Sequence, residues 1–323
     1  MKIQTKQDIL EVLNMPQEAF WKEVAPAARR VTQEHFGDSL LVTAMLAYSN
    51  ICKNQCLYCG MRAGNQIPRY RIPPSEILEL SQRARADGLS RMFLIAGEDK
   101  NYGFDNLLTL VSGLKKQGFA VSLAAGELEK SQYQELHDAG VEEYVLKFEM
   151  SDPASFNRLN PSTDFHKRME RARWIKETGM KLGSGNIVDW PGQTQEELVQ
   201  DILLMKELDI SWAPNIPFLP AMGTPLAGEK RGDFLLNFKE IAILRLMMPH
   251  IKITAQQPGY DGKGGLSNTQ GNLDAVACGA NLLFCDLLPD AKANDFRPVD
   301  GRNVSGMKHC QDVADLTGLT LDL

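Results

Sequence analysis

Apolar, β-branched runs alternate with amphipathic segments along almost the whole chain, and that alternation limits what it can fold into. The extended runs are Leu40–Ala47, Arg91–Ile95, Ala120–Ala124, Glu143–Phe148, Lys181–Val188, Ile210–Ile216, Ile251–Ala255 and Asn281–Phe284. Helical patterns lie between them: Pro74–Ala86, Asp105–Gln117, Lys130–Ala139, Phe165–Thr178, Thr194–Leu208 and Phe238–Met248. Leu198, Ile202 and Met205 recur at helical spacing in one of these, with Thr194 placed to cap it. Strict βα alternation implies parallel pairing, because parallel neighbours need the long crossover that a helix supplies. Eight such units within 323 residues predict an α/β fold of the (β/α)8 TIM-type barrel class. Residues 1–37 read as a helical N-terminal extension that turns at Asn14-Met15-Pro16, residues 38–288 as the barrel, and 289–323 as a C-terminal extension with a short helix near Val304–Leu316.

Composition removes several function classes. The chain is 43% hydrophobic and 24% charged, with a net charge of −6. It has no basic tract and no aromatic-basic interleaving, so nucleic acid is not an expected partner. No apolar run approaches the ~20 residues that span a bilayer, and the polar N-terminus does not read as a secretory signal. Six cysteines with three clustered make no disulfide framework and fit a reducing cytoplasm.

The cluster is Cys52-Lys53-Asn54-Gln55-Cys56-Leu57-Tyr58-Cys59, just after the first strand candidate. Three thiolates at this spacing suit three corners of a cubane 4Fe-4S cluster, and with no fourth cysteine nearby one iron keeps an open position. Electron carriers use four-cysteine ligation, whereas catalytic metal sites keep a position open. Two other readings stand beside this one, a zinc site and unrelated core thiols. Zinc would want a fourth Cys or His at finger-like spacing, and the nearest histidine is His35, upstream on a helix.

In a (β/α)8 barrel the loops after the strand C-termini form the active-site face, which puts the cysteine loop there. Ala96-Gly97-Glu98-Asp99 follows strand 2. Lys147 and Glu149 alternate with Phe148 at the end of strand 4, so they share a face and either pair with each other or meet a ligand. Arg168, on the next helix, offers a fork suited to a carboxylate. Gly183-Ser184-Gly185-Asn186-Ile187-Val188 at strand 5 carries small residues that let a flat ring approach the backbone.

CxxxCxxC with an aromatic before the last cysteine resembles the cluster loop of the radical S-adenosylmethionine (SAM) enzymes. That resemblance implies that SAM chelates the open iron and that one electron splits it to a 5′-deoxyadenosyl radical. It makes Cys52, Cys56 and Cys59 the cluster ligands and catalytic centre, and it gives Tyr58, Gly97, Glu98, Lys147, Glu149, Arg168, Gly185 and Ile187 SAM-binding places. Gly97-Glu98 resembles the segment that receives the methionyl ammonium, with Ala96 a departure at its first position. Gly183–Val188 is similar to the adenine-binding stretch.

A narrower resemblance rests on Arg69-Tyr70-Arg71, Gly97-Glu98-Asp99, Pro191-Gly192-Gln193-Thr194, Phe218-Leu219-Pro220, Gly223-Thr224-Pro225, Gly232-Asp233-Phe234 and Cys278-Gly279-Ala280-Asn281. It points to the group of biotin synthase, methylornithine synthase and the radical SAM maturase of iron-only hydrogenase, over about residues 38–288. The strand cysteines that hold biotin synthase's second cluster are absent from Arg91–Gly97, Ala120–Gly126 and Lys181–Gly185. Strand 6 ends Trp212-Ala213-Pro214-Asn215-Ile216-Pro217-Phe218 and strand 7 gives Thr254-Ala255-Gln256-Gln257-Pro258, both uncharged. A zwitterion buried there without partners would cost several kcal/mol. Asp99, Asn215 and Gln256 are the candidate substrate contacts, and Trp212, Ile216, Phe218 and Leu283 candidate cavity walls for an alkyl chain. Cys285 directly after strand 8, with Cys278 and Cys310, suggests an auxiliary iron–sulfur cluster or else buried thiols.

The chain also resembles the paired radical SAM proteins of two-protein lipoyl synthases, and that resemblance, with the uncharged pocket and the further cysteines, implies sulfur insertion into an unactivated C–H bond. Carbon-skeleton rearrangement and hydrogenase-maturase-like chemistry are the alternatives, and outside enzymes an iron–sulfur carrier or scaffold. Expected partners are an electron donor such as ferredoxin or flavodoxin, a second radical SAM protein and a lipoyl-acceptor protein.

Overall fold

Each extended run forms a strand that pairs in parallel with its neighbours. The strands are Ser39–Ser49, Arg91–Ala96, Ala120–Ala124, Val141–Val145, Lys181–Gly183, Trp212–Ala213, Lys252–Ile253 and Leu282–Asp286, barrel strands 1 to 8. The structure is a computed structural model that describes residues 2–261, 263, 265–302 and 306–323. Strand 8 returns to strand 1, with Leu41 opposite Leu282 and Met45 opposite Asp286. A bridge between Thr254 and Leu282 joins strand 7 to strand 8, and the Ala255 N–H reinforces it by donating to the Leu282 carbonyl at 2.8 Å. The ring is thereby closed.

Strands 5 and 6 are short for a chemical reason. The expected runs Lys181–Val188 and Ile210–Ile216 each break where Gly185 and Pro214 interrupt them, because glycine weakens a strand interior and proline cannot donate to the ladder. Their distal halves leave the barrel, and Ile187–Val188 pairs in parallel with Ile216–Pro217 as a separate ribbon at the mouth.

The helices follow their end signals closely: Pro74–Ala86, Phe104–Lys116, Lys130–Ala139, Phe165–Glu177, Gln195–Glu207 and Phe234–Met247. Thr194 Oγ1 accepts the Glu197 N–H at 3.2 Å while the Glu197 carboxylate accepts the Thr194 N–H at 2.7 Å, a reciprocal cap. Phe234–Met247 is buried almost all round, since the N-terminal helices cover its outer face. Lys239 reaches the carbonyls of Leu13 and Met15 at 2.7 and 2.6 Å, placing its charge at the negative end of Lys6–Asn14.

Inside the ring, Phe93, Trp212 and Phe284 pack together, the first and last with centroids 4.9 and 5.6 Å from Trp212. Toward the N-terminal ends of the strands lies the buried Glu143 carboxylate. It accepts from Lys252 at 2.5 Å, Ser211 at 2.6 Å and Ser122 at 3.0 Å, the partners a buried charge requires.

The C-terminal extension continues through Asp290–Ala293 to a helix at Met307–Thr317 and a strand at Thr320–Asp322 that pairs with Ser39–Leu41. The expected helix start, Val304, lies outside the described residues. Cys285 corrects an expectation: it belongs to strand 8 itself. Its neighbour Phe284 faces the interior, so Cys285 faces outward and is buried in the helix-side core with Cys310. Burial pushes the two thiols up to about 11 and about 12. Cys278 is fully buried just after the helix Thr269–Ala277. No helix among the described residues is long and apolar enough to cross a membrane.

Candidate active site

The cysteine loop leaves strand 1 at the mouth and is gathered around one guanidinium. Arg69 donates to the carbonyls of Asn50, Met61, Arg62 and Asn65 at 2.7, 2.8, 2.7 and 3.0 Å, fixing both ends of the loop. Burial raises all three thiols, Cys59 to about 12, and the sulfurs lie close enough that Cys52 further disfavours ionisation of Cys56 and Cys59, and Cys59 that of Cys56. Amide hydrogens point at them: Glu98 N–H donates to Cys52 Sγ at 3.4 Å, and Met61 N–H to Cys59. Such donors stabilise thiolate, and hydrogen bonds to the sulfurs also tune a cluster. No three His, Cys, Asp or Glu side chains among the described residues reach the spacing of a single metal ion. A cubane gives each thiolate its own iron and so spreads its ligands wider.

Two glycines make the crowding possible. A Cβ on Gly97 would stand 2.3 Å from the Ile51 carbonyl oxygen and 2.7 Å from Cys52 Cβ. On Gly126, whose φ is +79°, it would stand 2.0 Å from Glu98 Cγ. Glu98 pairs with Lys53 at 2.8 Å. Asp99 is engaged differently: its carboxylate accepts from Arg71 at 2.6 and 2.7 Å and from Ser49 at 2.7 Å. Burial opposes its ionisation, but these bonds hold it below the ordinary carboxylate value. Asp99 thus anchors the Arg71 segment to the end of strand 1, and a substrate contact would compete with two partners.

Lys147 and Glu149 lie just past the observed end of strand 4 and form an ion pair at 3.0 Å. Glu149 has φ 61°, a left-handed backbone that costs a non-glycine residue about 1–3 kcal/mol. Its N–H donates to Gly185 O and its carbonyl accepts from Ile187 N–H, each at 3.0 Å, which stitches strand 4 to the ribbon. Arg168 is buried. Its Nε donates to Glu127 at 2.8 Å, Nη1 to the Lys147 carbonyl, and its charge lies 5.3 Å from the Phe156 ring centroid. Burial alone would lower its pKa, but Glu127 raises it, so the charge is fixed. The Tyr58 hydroxyl donates to Asn160 at 2.7 Å.

The interior cavity occupies about 190 Å³ and opens between strand ends. Met45, Phe93, Ile95, Trp212, Ile216 and Phe284 form its apolar wall, Lys147 stands at its rim, and Asp286 and Arg302 face one another across one side. Gln256 lines it, but its amide bonds Phe284 in both senses at 2.7 and 2.8 Å and serves to close the barrel. Asn215 does not line it. That residue turns into the helix layer, where Asn186 and Asn215 donate to the Glu240 carboxyl at 2.9 and 3.0 Å. Two of the expected walls are also elsewhere, because Leu283 faces outward and Phe218 packs beside the cysteine loop. Glu127, immediately after Gly126, was legible from its place beyond strand 3 and was missed. Nothing local in the sequence marks Arg302.

A parallel barrel whose mouth carries a three-thiol loop, close against a glycine-lined carboxylate, defines a class of cluster-bearing α/β barrels. Residues 46–205 match the model of the Radical SAM superfamily. The FeFe hydrogenase maturase subunit HydE of Thermotoga maritima is 34% identical over 287 residues, covering 88% of this chain and 81% of that protein. The 3-methylornithine synthase of Methanosarcina acetivorans is 28% identical over 303 residues, 92% of this chain and 84% of that one. The crystal structure of methylornithine synthase (PylB) superposes with a TM-score of 0.87 at 25% identity, over 99% of this chain and 94% of that one. The chain belongs to the radical SAM superfamily, whose members are enzymes that use a 4Fe-4S cluster and SAM and need an electron donor.

Proposed function

We propose that Cys52, Cys56 and Cys59 hold the 4Fe-4S cluster at the barrel mouth and that the chain abstracts hydrogen from a small molecule held in the interior cavity. The observation that carries this reading is the position of the thiol loop at the strand ends beside a largely apolar cavity. Amide hydrogens aimed at the sulfurs and glycines that admit the loop support the fit of a cluster. When bound, the cluster and SAM supply reductive cleavage of the sulfonium and a primary carbon radical that abstracts hydrogen.

This chain's own residues bind and orient. Glu98 and the Gly97 backbone take the methionyl ammonium. Arg168 and Lys147 are the cations for its carboxylate, and Glu149 meets the ribose hydroxyls. The ribbon at Gly185 and Ile187 would receive the adenine, with Tyr58 holding the loop through Asn160. Phe93, Trp212 and Phe284 exclude water, which would otherwise open side reactions.

Among the finer reactions we favour rearrangement or maturase-like chemistry on a compact substrate. The cavity is smaller than the ~300 Å³ at the low end of ordinary ligand pockets, and Cys285 and Cys310 face away from it, so no cysteine is among its described lining residues. Sulfur insertion remains the second reading, favoured by the apolar walls. A ferredoxin- or flavodoxin-type donor and a cytoplasmic setting belong to either. A second radical SAM protein and a lipoyl-acceptor protein belong to the second.

Iron and acid-labile sulfide after anaerobic reconstitution, with 5′-deoxyadenosine release under reduction, tests the proposal. About four irons in the wild type, almost none in the Cys52/Cys56/Cys59 triple Ala variant, and SAM cleavage only by the former are expected. About six to eight irons would favour sulfur insertion. Iron without SAM cleavage would make the protein a carrier and sink the catalytic reading.

A further inference from the structure

Behind the ribbon, one carboxylate gathers the segments on either side of it. Asp201 is a buried residue of the helix Gln195–Glu207. Its Oδ1 accepts the Ser151 N–H at 2.7 Å, and its Oδ2 accepts from Asn186 Nδ2 at 3.2 Å and from Gln193 Nε2 at 2.9 Å. All three donors are neutral. A buried carboxyl held by neutral groups is a cost that an apolar side chain on the same helix face would avoid. Such departures from local preference gather where function requires them.

The segments it holds are the strained ones. Left-handed backbone occurs at three non-glycine positions among the described residues, and two of them, Glu149 (φ 61°) and Asp189 (φ 54°), adjoin the ribbon. A backbone of that kind persists only where its surroundings over-determine it. Ser151 lies two residues after Glu149, and Asn186 is bridged to Glu149 at the join between strand 4 and the ribbon. On the far side of Ile187–Val188, the Asp189 N–H donates to Gln193 Oε1, and the NH2 of that same amide meets Asp201. The Gln193 amide cannot turn over, because its NH2 would then face an N–H and its oxygen a carboxylate. Asp201 thus fixes one turn directly and the other through Gln193.

We propose that Asp201 is a positioning residue for SAM, whose carboxylate sets both left-handed turns and so places Glu149 and the ribbon at Gly185 and Ile187. It acts through those residues and is not itself a contact. The inference rests on reading them as SAM contacts and adds what orients them. The site uses acceptor character, not shape alone. Asparagine has the outline of the carboxylate, but in either orientation its NH2 would face a donor.

Equilibrium dialysis of SAM against the cluster-loaded, full-length protein tests this, together with the SAM-induced change in the EPR signal of the reduced cluster. Asp201→Asn should weaken SAM binding about tenfold, the scale of a hydrogen bond to a charged group. Iron content should stay at the wild-type value, and the thermal midpoint should not fall, since a buried charge has been removed. The double variant Asp201→Asn with Gln193→Glu moves the carboxylate to the other end of the same hydrogen bond, where it accepts both the Asp189 N–H and the new NH2 at position 201. That variant should bind SAM within about threefold of wild type, a coupling that two independent packing defects would not show. Wild-type affinity in Asp201→Asn, or a loss that the double variant does not recover, overturns the inference. If Asp201→Asn fails to fold, Gln193→Met cuts the link to Asp189 alone, and unchanged affinity there overturns it as well. A wild-type protein that holds the cluster and binds no SAM overturns the SAM-site reading and this inference together. Normal wild-type binding with an indifferent position 201 overturns this inference only.

Discussion

Replacing Glu240 by Gln should remove a pH dependence that the fold carries behind the ribbon. The Glu240 carboxyl is fully buried and accepts from Asn186 and Asn215. Burial first, and Asp201 second, raise its pKa from 4.5 to about 8. Asp201, which shares the Asn186 amide at 3.2 Å, is itself raised to about 7 by burial. A carboxyl whose folded pKa lies above its unfolded one binds a proton on folding. Its contribution is whole below about pH 4.5 and is lost as pH rises through about 8. One proton corresponds to about 1.4 kcal/mol per pH unit. If the pair holds one proton, stability falls by roughly 2–3 kcal/mol between pH 5.5 and 7.5.

The amide introduced by Glu240→Gln would reproduce the neutral form at every pH. Its NH2 can donate to the oxygen of Asn186 or Asn215, both buried without a partner among the described residues. Urea unfolding of the reduced, cluster-free protein, followed by tryptophan fluorescence at pH 5.5, 6.5 and 7.5, reads the effect. Glu240→Gln should be more stable than wild type by about 2 kcal/mol at the highest pH, with a visibly flatter slope. Parallel slopes in the two proteins would refute the reasoning, because the proton would then be held elsewhere.

Arg168→Met paired with Glu127→Gln, which spares a buried lone charge, should weaken SAM binding at least about tenfold by equilibrium dialysis while iron content holds; unchanged affinity would reject the assigned role. Gly97→Ala should cost most of the iron after reconstitution, because its Cβ meets backbone and Cys52 rather than a mobile side-chain end; a wild-type iron content would show that the loop gives way. Cys285→Ala should leave iron content at the wild-type value and cost about 1 kcal/mol in urea unfolding, as expected for a trimmed core side chain. An iron deficit in that variant would restore the auxiliary-cluster reading.

The barrel was legible because βα alternation, caps and helix-end glycines all point the same way, so Pro74–Ala86, Ala120–Ala124 and Lys130–Ala139 fall where periodicity puts them. The breaks in strands 5 and 6 were less legible, since Gly185 and Pro214 interrupt runs whose hydrophobicity continues across them. At the site, local motifs brought the thiols, Gly97, Glu98 and Arg168 together. Facing directions were harder. Cys285 and Leu283 alternate with Phe284, and a one-residue difference decides between cavity and core. Asn215 misled for the same reason. Arg302 could not be anticipated, because its place on the cavity wall comes from a contact with strand 8 that no spacing encodes.

Segment Asp295–Arg302 also sets an order of events for making the protein. Asn50 donates to the Asp295 carbonyl across 245 residues of sequence, and the Gly60 N–H donates to the Pro298 carbonyl at 3.0 Å, so this segment braces both sides of the thiol loop. During translation the three cysteines emerge long before that brace exists. A nascent chain that has emerged as far as strand 4 already carries the three cysteines and Arg69, but not the segment that braces the loop. Iron loading before release would act on a looser, more exposed ligand set than the finished protein presents. Cluster insertion into a completed chain meets a thiol loop that the brace already holds on both sides.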